Sequence, residues 1–172
     1  CIRDSYDSEG KPNFASLRGT LSDVRFLGDL EGCDYKKGFC INNQSEKLIV
    51  TESVIDAMSV MTILQAQGKD WKAYDYLPLG GTGKYEPVLN LLKEHPKQEI
   101  HLAEDHDLSG VESMQHIQEL LKKEGMPVEQ IYCHVPENAK DWNEALMNYA
   151  KKFKPVEELS FLEKEGLTEI HY

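Results

Sequence analysis

The chain has 172 residues, with 19 Lys and Arg against 30 Asp and Glu, for a formal charge of -11. With 40% hydrophobic and 28% charged residues it can bury a real core beneath a solvated surface, and no run approaches the ~20 apolar residues of a spanning helix, so disorder and a membrane span are both excluded. The acidic excess repels phosphate and argues against a duplex binder with a broad basic face, yet it suits an enzyme whose carboxylates hold a divalent cation against nucleic acid.

The N-terminus has neither a basic n-region nor an apolar h-region, and the chain reads as soluble and cytoplasmic. It starts at Cys1 rather than Met, as a piece of a longer polypeptide would. Four cysteines, Cys1, Cys33, Cys40 and Cys133, form no C-x-x-C pair and no disulfide framework; Cys33 and Cys40 read as hairpin neighbours rather than zinc ligands.

In chain order, residues 1–18 are polar and turn-rich, with Gly10, Pro12 and Asn13, and read as a tail or connection. Two short strand-like runs follow, Val24–Leu27 and Gly38–Asn42, separated by the turn-forming GDLEGCDYKKG. From Lys47 the pattern becomes one of short apolar runs alternating with amphipathic stretches, the mark of repeated βα units and a mainly parallel sheet. Strands are expected at Leu48–Thr51, Ala73–Leu79, Ile100–Ala103 and Gln130–Val135. Helices are expected from Val54 to a stop at Gly68, from Pro87, from Val111 to a stop at Gly125 and Pro127, and from Asn143 to Phe153. The division is then an N-terminal extension with a short β-hairpin over 1–45, an α/β catalytic unit over 46–153 and a helical tail over 154–172.

Open parallel sheets place ligands at the carboxyl ends of their strands, and here those ends are acidic. Glu52 follows LIVT directly, and Asp105 and Asp107 follow the third strand in HLAEDHDLSG. Two residues apart in extended chain, Asp105 and Asp107 can offer carboxylates to one site, and crowded hard oxygens suit Mg2+ or Mn2+. Each is equally placed to cap the following helix. Gly110, closing D-x-D-x-x-G, implies a close backbone approach.

These residues resemble a family. ESVIDAMS, Glu52–Ser59, followed at distance by DHDLSG, Asp105–Gly110, is similar to the two-part signature of the Toprim domain of bacterial-type primases, type IA and II topoisomerases and some nucleases. SLRGT at Ser16–Thr20, LPLGGTGK at Leu77–Lys84 and KDWNEAL at Lys140–Leu146 further resemble Toprim-like proteins of plasmids and conjugative elements, which often carry a zinc-ribbon domain ahead of this segment. The resemblance covers about residues 16 to 153.

It implies a Toprim-type, Rossmann-like sheet of about four parallel strands flanked by helices, after a small β-containing segment. It also implies Glu52 as general acid or base, Asp56 as a further acidic position of the catalytic set that in primases helps hold metal, and Asp105 and Asp107 as ligands of Mg2+ or Mn2+. Ser53 stands where many members have Gly. The implied activity is nucleotidyl or phosphoryl transfer by a primase-like protein of a mobile element, on nucleic acid with a single-stranded template and nucleotides, with a helicase or relaxase as protein partner. A Toprim nuclease and a non-catalytic interaction module are the alternatives.

LGGTGKY lacks the Gly at 78 and the Ser or Thr at 85 that a phosphate-binding P-loop requires, so it fails as an ATP cradle. As a turn carrying Gly81 it can still line the site, with Lys84 reaching a phosphate. Lys140 and Asp141 follow the fourth strand and are candidates for contacting substrate, although Asp141 also suits a helix cap. Trp142 reads as core or lid packing in preference to a base-stacking platform, and His106 as solvent-facing in preference to a metal ligand.

Overall fold

The computed structural model describes residues 2–6, 10–19, 23–24 and 26–152. The expected tail over 154–172 lies outside the described residues. Four strands, β4 (Lys47–Thr51), β5 (Asp75–Pro78), β6 (Glu99–Ala103) and β7 (Ile131–His134), form a parallel sheet in the order β5-β4-β6-β7. Helices α1 (Val54–Ala66), α2 (Glu86–Glu94), α3 (Leu108–Lys123) and α4 (Trp142–Lys152) alternate with them. No described helix is long and apolar enough to cross a membrane.

A strand buried on both faces needs apolar side chains pointing both ways, and Leu48, Ile49 and Val50 supply them. Leu48 and Val50 join Leu77, Ile100, Leu102, Ile117 and Leu121 in the larger core, beneath α2 and α3. Ile49 points the other way, to Ala57, Val60, Tyr76 and Ala103, beneath α1 and with Trp142 of α4 against it. The glycine stops at Gly68 and Gly125 are both used. In each, the left-handed glycine (φ +71 and +89) lets two consecutive N–H groups reach back to orphan helix carbonyls, Lys69 N to Leu64 O and Met126 N to Leu121 O among them.

The N-terminal part departs from expectation. Residues 1–18, read as a tail, contain two strands, β1 (Ile2–Tyr6) and β2 (Pro12–Arg18), paired antiparallel. A third, β3 (Leu27–Asp29), pairs with β2 and lies later than the expected Val24–Leu27. The sequence looked polar because only part of β2 is buried, with Phe14 and Ala15 facing inward against its otherwise wetter neighbours. The expected strand over Gly38–Asn42 is reduced to one antiparallel bridge, Ile41 to Tyr76, beside β5, because Gly38 is turned into the left-handed region and the chain runs past the sheet edge instead of along it. Cys33 and Cys40 are accordingly not partners across a hairpin: both are free, and Cys33 Sγ meets the backbone of Ala15.

Candidate active site

The carboxyl ends of β4 and β6 and the start of α4 meet on one side of a cleft of about 740 Å³, and β2 and β3 wall the opposite side. Glu52, Asp56, Asp105, Lys140 and Asp141 line it from the parallel sheet, while Arg18, Phe26 and Asp29 line it from the N-terminal sheet.

Each acidic group is positioned by local chemistry. Glu52 sits in the turn between β4 and α1, where its carbonyl accepts N–H groups from Gly80 at 2.8 Å and Gly81 at 3.2 Å. These two glycines, at φ +72 and +135, hold a backbone that other residues rarely adopt, so the GGTGK loop fixes the Glu52 turn through its main chain. Ser53 caps α1: its hydroxyl accepts from Asp56 N at 3.3 Å and donates to Asp56 Oδ2. That pair orients the Asp56 carboxylate, which is 5% exposed and also takes backbone hydrogen bonds from Asn143 and Trp142 at the start of α4.

After β6, Gly110 in the first turn of α3 lets the helix start against the Asp105 backbone, where a Cβ would stand 2.2 Å from the Asp105 carbonyl oxygen. Asp107 caps α3, with Oδ1 accepting from Gly110 N at 2.8 Å, and is exposed outside the cleft lining. Asp105 lines the cleft, and Asp107, although it caps α3, is still the charge that acts most strongly on Glu52. Asp141 caps α4 through Glu144 N at 2.7 Å and pairs with Lys140 at 3.7 Å. Lys84 is turned toward the N-terminal sheet, 4.0 Å from Asp29 and over the ring of Tyr35. Trp142 donates its indole N–H to Ala103 O and packs against the core, and His106 is exposed.

Sequence reasoning missed Glu104. It is wholly buried, and neither of its carboxylate oxygens has a hydrogen-bond partner. Its signal was an acidic residue directly after the expected strand Ile100–Ala103, passed over in favour of the Asp-x-Asp pair that follows it.

Burial sets the electrostatics of the whole group. It pushes Glu104 up to about 8, helped by Glu52, Asp105 and Asp56, and Asp105 up to about 7, helped by Asp56, Glu52, Asp141 and Asp107. Glu52 is also raised, by burial and then by Asp107, Asp56 and Asp141. Asp56 is raised by burial, against the opposing pull of its Ser53 hydrogen bond.

Among the described residues no ion pair falls on Glu52, Asp56, Glu104 or Asp105; the one between two lining residues of the cleft is Lys140 with Asp141. Oδ1 of Asp105 is buried without a partner, as are both oxygens of Glu104. Hard, unpaired oxygens under mutual repulsion are the donor set a divalent cation fits, although among the described residues no three ligating side chains already converge on one point.

Comparison with solved structures finds likeness of fold at low sequence identity. The chain is similar to the primase fragment of the bacteriophage T7 primase-helicase protein, at 17% identity and a TM-score of 0.64, over 88% of this chain and 58% of that one. It is also similar to a DNA primase domain from Pseudomonas aeruginosa (14%, 0.61, 86% and 46%) and to the E. coli primase catalytic core (13%, 0.61, 98% and 56%). The chain thus spans about half the length of the structures it matches. No match is found among curated protein sequences. The Toprim-like family profile matches residues 49–146, which hold both halves of the acidic constellation and more than half of the chain, and the protein belongs to that Toprim-like family.

Proposed function

We propose that the chain is the catalytic part of a primase-like enzyme that performs nucleotidyl or phosphoryl transfer on nucleic acid, with 46–153 as the catalytic unit and 1–45 as the facing wall. The observation that carries this reading is the meeting of Glu52, Asp56 and Asp105, from two strand ends and one helix, on one side of an open cleft beside buried, unpaired carboxylate oxygens. The fold likeness to primases and the family match support it.

Asp105 and Asp56, with Asp107 at the rim, would hold Mg2+ or Mn2+. When bound, the ion neutralises phosphate charge and polarises the P–O bond under attack. Glu52, raised by burial and neighbouring acids, takes the proton of the attacking hydroxyl as the new O–P bond forms and the leaving group departs. Lys140 stands at the cleft mouth to meet phosphate. A single-stranded template and nucleotides are the substrates, with a helicase or relaxase of a mobile element as partner in the cytoplasm. The segments SLRGT, LPLGGTGK and KDWNEAL, through their resemblance to plasmid proteins, are the support for that setting. A Toprim nuclease uses the same acids and differs only in the strand presented.

The test is templated nucleotide incorporation and, in parallel, strand cleavage by the full-length protein with Mg2+. Glu52→Gln is expected to abolish transfer, a loss of ~10²–10⁴-fold, with metal affinity within several-fold of the parent. Asp105→Asn should lose both. Full activity in Glu52→Gln overturns the acid-base role, and cleavage without incorporation selects the nuclease.

A further inference from the structure

A second set of ligating side chains lies on the sheet face that carries α1, away from the cleft lining. The strand register places Ile49, His101 and Tyr132 in one row across β4, β6 and β7, with Lys47 and Glu99 in the row before and Ala103 and His134 in the row after. His101 Nδ1 and His134 Nε2 stand 3.0 Å apart. The other nitrogen of His101, Nε2, lies 3.4 Å from Glu99 Oε2, and Glu99 is itself held by Lys47 at 2.9 Å. The His101 ring is stacked on Tyr132 with centroids 4.8 Å apart and meets the edge of Tyr74 at 5.4 Å, so its plane is fixed, and the exposed His134 ring lies nearly parallel to it at a centroid distance of 5.2 Å.

A carboxylate accepting from Nε2 keeps the proton on that nitrogen and leaves the Nδ1 lone pair aimed at His134. Two imidazole nitrogens at the usual ~2.0–2.1 Å from a tetrahedral ion stand roughly 3.3 Å apart, so the separation needs to open by only a few tenths of an ångström while the exposed His134 side chain swings sideways until both lone pairs converge on the ion. We propose that His101 Nδ1 and His134 Nε2 form a two-imidazole site for a late first-row divalent cation, Zn2+, Ni2+ or Cu2+, with Glu99 orienting His101 and water completing the shell. On binding, His134 carries its proton on Nδ1 instead of Nε2, so no proton is lost. Burial lowers the pKa of both rings, which keeps them in the neutral, ligating form. Imidazole donors prefer these ions to Mg2+, so the site is chemically separate from the all-oxygen cleft, and it would staple the edge strand β7 to β6.

The test is calorimetric titration of NiCl2 into the untagged, chelator-washed chain in excess MgCl2, with melting temperature as a second readout. One saturable equivalent is expected, and it should raise the melting temperature because the ion binds only the folded sheet. His134→Gln, at an exposed position, should weaken binding at least ~10-fold, and Glu99→Gln should keep the stoichiometry while weakening affinity ~10–100-fold. Cys133→Ser, on the opposite face by strand alternation, and the double variant Asp105→Asn, Asp107→Asn should both retain it. Equal isotherms for parent and His134→Gln, or no saturable binding, overturn the proposal and leave a plain histidine–histidine hydrogen bond.

Discussion

Glu104 is the residue whose chemistry is least ordinary. A buried carboxyl group with two unpartnered oxygens costs the desolvation of a polar group when protonated and of a charge once it ionises, and no hydrogen bond among the described residues offsets it. Replacing such a group by an apolar one of similar volume is neutral or stabilising, so Glu104→Leu should raise the melting temperature in EDTA, by about 1–3 kcal/mol of stability. The sign of its pH dependence follows from a folded pKa of about 8 against an ordinary 4.5. Between those values the folded state holds a proton that the unfolded state has released, so the parent loses stability as pH rises through the window. The advantage of the variant is therefore smallest below pH 4.5 and largest above pH 8. Thermal melts of both chains across that range test it, and a pH-independent difference would contradict the assignment. Gly110 is constrained in the opposite sense, by space. With a Cβ only 2.2 Å from the Asp105 carbonyl oxygen, Gly110→Ala must push α3 away from the loop. The cost should be about 1–3 kcal/mol in a denaturant melt, with loss of metal response, because the displaced loop carries Asp105.

At the scale of elements, the site is built from helix starts. Ser53, Asp107 and Asp141 cap α1, α3 and α4, and each stands in the acidic constellation or beside a member of it. Stability and site geometry thus share atoms: Ser53→Ala should cost about 1 kcal/mol in a thermal or urea melt through the lost cap. It should also raise Asp56 further, since the Ser53 hydroxyl is what opposes the effect of burial there. Ser53→Asn would keep most of the capping while altering the Asp56 contact, separating the two effects. These elements were legible because their signals are local and agree with one another. The β-branched run at Leu48–Thr51, the helical spacing from Val54 and the glycines at 68 and 125 fall within a residue or two of the observed boundaries. The N-terminal sheet was not legible, because β2 finds partners on both sides and its pattern records burial of only part of its length. Asp107 combines two readings that the sequence offered side by side: it caps α3, and its charge is the one that acts most strongly on Glu52.

For the whole molecule, the decisive quantity is where charge lies relative to the cleft. The net charge of -11 is spread over the chain, yet the cleft itself contrasts one acidic side with an N-terminal wall bearing Arg18 and the exposed Phe26, 55% accessible. On the proposed function, a single strand entering between them would meet the Phe26 ring on one side and repulsion on the other until a divalent ion neutralised the acids. Of the lysines, Lys140 is in the cleft lining, whereas Lys84 lies by Asp29 and Tyr35 and Lys97 is buried against Asp75. Binding of single-stranded DNA by this chain should therefore be weak in EDTA, with a dissociation constant at or above ~10⁻⁴ M at physiological salt, and should strengthen with Mg2+. The gain should vanish in the double variant Asp105→Asn, Asp107→Asn, whose own metal-free binding should exceed the parent's because two negative charges have gone. Fluorescence anisotropy with a labelled oligonucleotide measures all four cases. Tight binding by the parent without metal would mean that the N-terminal wall alone holds the strand, and that the acids act on a substrate already in place instead of helping to admit it.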